Sequence, residues 1–320
     1  MNVWSKTVWS KKLKEGLIWL GLVAPLAIYG VCMWQRPARE DIAPTPIFQG
    51  ITYSRQIVAE PRPQVLHLFE IDLTTPGLRP FQTPGIGGTV PADLPENQIR
   101  ESQIRESQIR ETYAQRTSRF LATHGLQLAI NANFFYPFEE GSPWNYEPIE
   151  GAPVSLVGVA VSEGAAVSGP HPRYYSLCFL PQRAQVGWES TCPAETRQAV
   201  AGQPIWVSDR PLPEDMAYLA TEKGLDKPYP INVAALDASG TRLWLLLSDG
   251  KQPFYSEGTT VNEAAEIVKA LGAEWAVQLD GGGSTTIAVE QDGKPALLNA
   301  VIHTKIPGRE RPVANHLGFF

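Results

Sequence analysis

Two spacings of apolar residues alternate along the C-terminal part of the chain. Thr241–Leu247 and Glu274–Leu279 are short apolar runs that read as buried strands. Between them, Ala264, Ile267, Val268 and Leu271 recur at helical spacing. Thr259 or Thr260 can cap that helix, Glu263 sits in its first turn, and Gly272 can end it. Strand, helix, strand predicts a right-handed crossover to an adjacent parallel strand. Both strands run into acid-glycine, Asp249-Gly250 and Asp280-Gly281, so the two aspartates are expected as neighbours on one rim of the sheet. Ligands of open α/β sheets favour that carboxyl-end rim.

Upstream, Val65–Leu73 alternates as a strand and Leu126–Ile130 reads as a buried one. Thr117–Gly125 looks like the end of a helix capped by Gly125. Val157–Val167 and Cys178–Cys192 read as hairpins, and the residues ending at Phe320 as a closing strand. The expected class is α+β: a mixed β-sheet flanked by helices, with a parallel βαβ unit at Thr241–Leu279 and antiparallel hairpins elsewhere.

The N-terminus departs from this globular pattern. Gly16 to Gln35 carries no charge and is long enough to span a bilayer, which takes about 20 residues. Lys6, Lys11, Lys12 and Lys14 precede it and orient the N-terminus toward the cytoplasm. The organisation expected is a basic cytoplasmic stretch (1–15), a transmembrane signal anchor (16–35), a Pro-rich linker (36–50) and one extracytoplasmic domain (51–320). A cleaved signal peptide is the alternative, though no small-x-small site closes the run well. Within the domain, Gln-Ile-Arg-Glu-Ser at 98–102 recurs at 103–107 and nearly again at 108–112, where Thr112 ends it; the period of five fits neither helix nor heptad and reads as a tandem duplication that lengthens a loop or extends the following helix.

Net charge is −6 over 320 residues, and nothing global points to nucleic acid. Cys32 falls in the apolar segment, leaving Cys178 and Cys192 beyond it. In an oxidising compartment these two can form a disulfide; two buried thiols are the alternative.

The chemistry concentrates in Asp280-Gly281-Gly282-Gly283-Ser284-Thr285-Thr286. Glycines after a strand let the backbone approach a ligand, and successive N–H groups can form an anion site. No Lys-Ser/Thr pair follows at P-loop spacing, and a plain tight turn is the bland reading. Asn131 and Asn133 share a face of their strand and serve either a ligand or a neighbouring loop. Glu150 lies in a Gly/Pro-rich stretch with Trp144 and Tyr146, suited to a substrate-facing loop. Arg311 can bind an anionic group.

Together these stretches resemble the phosphodiester glycosidase family, that of the lysosomal uncovering enzyme. The resemblance rests on Ala129–Phe135 (Ala-Ile-Asn-Ala-Asn-Phe-Phe), Ser248-Asp249-Gly250, Gly258-Thr259-Thr260 with Glu263-Ala264-Ala265, Leu271-Gly272-Ala273, Leu279–Thr286 and Arg311–Asn315. It covers most of Ile51 to Phe320. One departure is Ile231-Asn232, where the family usually carries an Arg-Thr or similar polar pair; Arg311 or Lys251 can compensate.

The resemblance implies hydrolysis of a sugar-1-phosphodiester at the anomeric carbon. Asp280 and Asp249 are then the expected catalytic carboxylates, with Glu150 and Glu263 in reserve. Gly281, Gly282, Gly283, Ser284, Thr285 and Arg311 would stabilise phosphate charge, and Asn131, Asn133, Asn315 and Glu150 would contact substrate. Either aspartate leaves room for a divalent cation, and no other cofactor is expected. The expected partners are a phosphorylated glycan and, through the N-terminal helix, a membrane. Two alternatives share the site: a glycan- or wall-binding module without turnover, and a hydrolase of another extracytoplasmic phosphoglycan.

Overall fold

The computed structural model describes residues 33–86, 110–188, 191–208 and 227–320, with a few positions between 23 and 31. Most of the segment read as a membrane anchor, and residues 98–109 of the repeat insert, lie outside the described residues. Among the described residues no helix is long and apolar enough to cross a membrane.

The strands Arg242–Ser248 and Asn232–Leu236 show how the core is built. Leu243, Leu245 and Leu247 enter one apolar cluster, while Trp244 and Leu246 enter another on the opposite face. Val233 and Ala235 oppose Ala234 and Leu236 in the same way, as the two-residue period of a strand requires. A continuous apolar run of this kind belongs to a sheet buried on both faces. One face packs on the helix Val261–Ala270 through Ala264 and Val268. The other packs on a second, five-stranded sheet. That sheet runs Lys294–Leu297, Ile287–Gln291, Leu128–Asn131, His316–Phe319, Pro80–Gln82. Its inner residues Leu128, Ile130, Ile287, Leu317 and Phe319 join the central cluster. Its outer residues Ala129 and Ala288 pack on Phe120 and Leu121 of the helix Thr117–His124. The molecule is thus layered helix, sheet, sheet, helix, with its largest core between the sheets.

Every strand pairing among the described residues is antiparallel, which overturns the expected α+β class with its parallel βαβ unit. The strands Arg242–Ser248 and Trp275–Gln278 do run in one direction, but Asn232–Leu236 lies between them, antiparallel to both. Asn232–Leu236 joins Arg242–Ser248 through a tight turn at 237–241, held by Gly240 N–H to Asp237 O and Arg242 N–H to Asp237 Oδ1. A local hairpin thereby occupies the edge that a crossover strand would need. Both strands still deliver their C-terminal ends to the same side of the sheet.

The helix Val261–Ala270 begins with a capping box, Thr260 and Glu263 each accepting from the other's backbone N–H. Glu263 also pairs with Arg62, so this reserve carboxylate is a cap. Gly125, in the left-handed conformation, ends Thr117–His124. The segment read as a linker (36–50) is structured: Ile42–Phe48 pairs with Ile51–Val58 at the sheet edge. Arg36 lies over the Tyr255 ring at 4.4 Å, and Tyr255 donates to Pro37 O at 3.1 Å. Cys178 and Cys192 are bonded, with Cα atoms 5.8 Å apart.

Candidate active site

A cavity of about 300 Å³ opens where Trp275–Gln278 ends, walled by Phe134, Tyr136, Phe138, Tyr174 and Tyr229, with Asp280, Gly281 and Arg311 beside them. Its volume is at the small end of the range for ligand pockets, about 300–1,000 Å³. Asp280 is half-buried, and removal from water pushes its carboxyl up to about 6. A hydrogen bond with Ser284, the Arg311 charge, the Gly281 N–H and the Lys251 charge oppose that rise without cancelling it. Asp280 is therefore poised to exchange a proton near neutrality.

Arg311 is buried and held on three sides. It donates from Nε to His303 Nδ1 (3.1 Å), from Nη1 to Ser284 Oγ (3.0 Å) and from Nη2 to Glu140 Oε2 (3.0 Å). Its guanidinium carbon lies 4.7 Å from the centre of the Phe138 ring. Glu140 is fixed in turn by the Thr304 N–H at 2.7 Å. Burial, with Arg311 and Arg309 alongside, pushes His303 down to about 4, so it is neutral and accepts from Arg311. Arg311 thus forms an ion pair with Glu140 and two further hydrogen bonds, while its side chain still lines the cavity.

Two glycines make this geometry possible. Gly282 has φ +65°, and a Cβ there would lie 2.6 Å from Tyr229 Cε1. A Cβ on Gly283 would lie 2.5 Å from Arg311 Nη2. The glycines admit the Tyr229 ring and the guanidinium. Three of the loop amides expected to face an anion are bonded within the protein: Gly282 N–H donates to Pro230 O, Ser284 N–H to Gly281 O and Thr285 N–H to Gly282 O. Ser284 meets Arg311, whereas Thr285 is buried and its carbonyl accepts from Asn299.

The remaining expected substrate ligands sit beneath or away from the cavity. Asn131 donates to Asp280 O at 2.6 Å and accepts from Thr286 N–H at 3.1 Å, so it clamps both ends of the glycine loop from below. Asn133 donates to Val157 O and Val159 O, and accepts from Ala201 N–H and Asn315. Asn315 also accepts from His316 N–H. All three asparagines are buried, and such short polar side chains are used here to tie neighbouring segments together. Ile231 is core, and Asn232 donates to Asn131 O at 2.6 Å, so the family departure lies under the site rather than in its wall. Glu150 pairs with Arg116 (2.8 Å) and Arg119 (3.2 Å) and does not line the cavity.

Asp249 is likewise turned away. Its Oδ1 accepts from Ala300 N–H (2.9 Å) and Asn299 (3.2 Å), and its Oδ2 meets His67 Nε2 at 3.2 Å. His67 Nδ1 meets Tyr53 OH at 2.9 Å. This sealed chain supports Asn299, which also donates to Thr285 O and accepts from Ile287 N–H. Asp249 therefore holds the glycine loop from behind.

Among the described residues no group of three or more His, Cys, Asp and Glu could hold a metal ion. Asp280 has Arg311 and Lys251 as its charged neighbours, and Asp249 is filled by protein donors. This donor set does not fit a divalent cation.

Sequence reasoning missed Tyr174, Tyr229, Phe138, Glu140 and His303. The aromatics come from three separated stretches and nothing in their spacing joins them. Glu140 was detectable only as a carboxylate in the loop already singled out around Trp144. Trp144 itself is exposed, and Tyr146 lies edge-on to His303.

The phosphodiester glycosidase family model matches residues 124–320, which include every residue that walls the cavity. No curated protein matches the chain significantly. Among solved structures, the catalytic domain of zebrafish N-acetylglucosamine-1-phosphodiester alpha-N-acetylglucosaminidase, auto-inhibited by its pro-peptide, superposes with TM-score 0.54 at 14% identity, covering 90% of this chain and 92% of that one. A Synechocystis protein gives TM-score 0.52 at 14% identity, covering 89% of this chain; the chain spans only 64% of that relative. A protein of Burkholderia pseudomallei gives 0.51 at 16% identity, covering 82% and 75%. Likenesses at such identities establish the shared fold. The family match over 124–320 establishes more: the chain belongs to the phosphodiester glycosidase family of hydrolases.

Proposed function

We propose that this protein is a membrane-anchored, extracytoplasmic hydrolase that cleaves sugar-1-phosphodiesters at the anomeric carbon. The observation that carries the reading is Asp280, raised to about 6, beside the buried Arg311 in an aromatic-walled cavity. Aromatic faces suit the apolar face of a sugar ring, and Arg311 suits a phosphate oxygen. Above about pH 6 Asp280 is ionised and takes a proton from water as the water oxygen bonds to C1. The C1–O bond breaks and its electron pair leaves with the phosphate, giving a free sugar and a phosphomonoester. A phosphate leaving group needs little protonation, so one carboxylate in the cavity wall suffices where ordinary glycosidases use two.

The cytoplasmic N-terminus and the anchor rest on the uncharged run Gly16–Gln35 behind its four lysines. The Cys178–Cys192 bond supports an oxidising compartment for the domain. Pelleting of the full chain with membranes after alkaline wash tests the anchor, and release into the supernatant would refute it.

The chemistry is tested by incubating the detergent-solubilised full chain with a panel of sugar-1-phosphodiesters in ¹⁸O-water. Label in the released sugar is expected. Label in the phosphate would mean P–O cleavage, and no release from any ester while sugars still bind would point to a binding module.

A further inference from the structure

Phe254, Trp144 and Trp34 are 91%, 88% and 87% exposed, more than any other large hydrophobic side chain among the described residues. Single exposed apolar residues are ordinary, but these three aromatics gather on one side of the domain. Phe254 lies in the loop that follows Asp249, at φ +65°, a conformation rare for a bulky residue. The loop is fixed from within: Gln252 donates to Ala300 O (2.7 Å), and the Tyr255 and Ser256 N–H groups both donate to Gln252 O. Its backbone therefore holds the Phe254 ring outward. Trp34 is near, because Arg36 donates to Gln252 Oε1 at 3.4 Å and Arg39 to Phe254 O at 3.3 Å. Trp144 is near as well, in the turn of the hairpin Glu139–Glu147, whose Pro143 lines a cleft together with Lys251.

The same side is basic. Arg39, Lys251 and Lys305 are exposed, and none of them forms an ion pair among the described residues. Glu140 is matched by Arg311, and Glu139 and Glu147 face each other at the base of the hairpin, away from Trp144. The chain leaves no slack here. Only the six residues 36–41 separate the uncharged run Gly16–Gln35 from the first strand, Ile42–Phe48. Three of the six, Arg36, Pro37 and Arg39, are bonded to the loop that carries Phe254. Tyr29, within the run, lines the same cleft as Pro143, Lys251 and Lys305. A run anchored in the bilayer thus holds this side of the domain against the bilayer surface.

We infer that this side of the domain, with Phe254 and Trp144 as its aromatic tips and Arg39, Lys251 and Lys305 as its cations, docks on an anionic bilayer surface. The inference rests on the reading of Gly16–Gln35 as a membrane anchor. Aromatic rings favour the zone between headgroups and acyl chains, where one end of the side chain is apolar and the other wet. Lysine and arginine next to them meet lipid phosphates while their stems lie along apolar surface. Docking also has a consequence for the active cavity. The Lys251 ammonium lies 4.3 Å from the centre of the Tyr229 ring, which walls that cavity, so the docked domain holds the cavity at the margin of the bilayer.

Spin labels test the docking. With Cys178 and Cys192 bonded, Cys32→Ala leaves an introduced cysteine as the one free thiol of the full chain. Phe254→Cys, Trp144→Cys and Ala238→Cys are each labelled with a nitroxide and reconstituted into vesicles of phosphatidylcholine with about 30% phosphatidylglycerol. Ala238 is exposed in the 237–241 turn, at the opposite end of the strand that leads to Asp249, and serves as the reference. The readout is collision with oxygen, which concentrates in lipid, relative to collision with a water-soluble nickel chelate. That ratio is expected to be at least about fivefold higher at 254 and 144 than at 238. It should fall toward the reference value when Arg39→Gln and Lys305→Gln are added, or in vesicles of phosphatidylcholine alone. Equal ratios at all three positions, in vesicles that retain the chain through an alkaline wash, would overturn the docking and leave the anchor standing. Immobilised labels at 254 and 144 with no gain in oxygen contact would overturn it in favour of a protein partner. Release of the chain by the alkaline wash would overturn the anchor and this inference with it.

Discussion

Two strand ends of nearly identical local sequence have opposite fates in this molecule. Asp249-Gly250 and Asp280-Gly281 each follow a buried apolar strand, and the two strands run in the same direction on either side of Asn232–Leu236. Asp280 borders open space, keeps two cations nearby and has its proton affinity raised. Asp249 is roofed by the 299–300 backbone and by His67, and all its partners are protein groups. An acid-glycine at a strand terminus thus gives a carboxylate an address but no role. What packs over it decides whether it meets substrate or holds the loop that does.

The contrast can be broken from the buried side first. Asp249→Ala strands the Ala300 N–H, Asn299 and His67 in the core. Each orphaned group costs about 1–3 kcal/mol, so a loss of several kcal/mol and a fall of roughly 10 °C or more in melting temperature are expected. A stability within 2 °C of wild type would mean that the network is not structural. On the cavity side, Gly283→Ala pushes a methyl group into Arg311 Nη2. A drop of about 10- to 100-fold in kcat/KM is expected, with the fold retained by circular dichroism.

Protonation sharpens the comparison further. The Asp280 carboxyl is raised to about 6 in the folded chain from an ordinary 3.8, so the native state binds the extra proton. Its contribution to stability is therefore most favourable below about pH 4 and is lost as pH rises to about 6. Activity moves the other way: kcat/KM should climb through about pH 6 as the carboxylate ionises. A rate that falls across that range would make Asp280 a general acid. The smallest effect is expected at Glu150, whose partners are Arg116 and Arg119 outside the cavity. Glu150→Gln should leave kcat/KM within about twofold, since exposed ion pairs contribute about 0–1 kcal/mol.

Local elements were readable because their causes are local. Thr260 with Glu263 marks a cap, Gly125 an end, and Val65–Leu73 a strand, and the observed Thr260 cap, Gly125 cap and Gln64–Asp72 strand follow those signals. The pairing was not readable. Nothing in Thr241–Leu279 reveals that Asn232–Leu236 takes the edge between its two strands, because register is set by partners distant in sequence. At the site, Asp280 and Arg311 fall in the cavity wall, whereas Asn131, Asn133 and Asn315 bond to neighbouring segments beneath it. A buried asparagine and a ligand-binding one look alike until the carbonyls around them are known. The aromatic wall, assembled from Phe134, Tyr174 and Tyr229, depends wholly on tertiary structure.

The most direct test of the central claim is the rate of sugar release from a sugar-1-phosphodiester by Asp280→Asn beside wild type, with melting temperatures measured on the same samples. A loss of at least about 10³-fold in kcat/KM, about 4 kcal/mol of transition-state stabilisation, is expected with no fall in melting temperature. Retention of more than a tenth of wild-type activity by a folded Asp280→Asn would contradict the account and move the chemistry elsewhere.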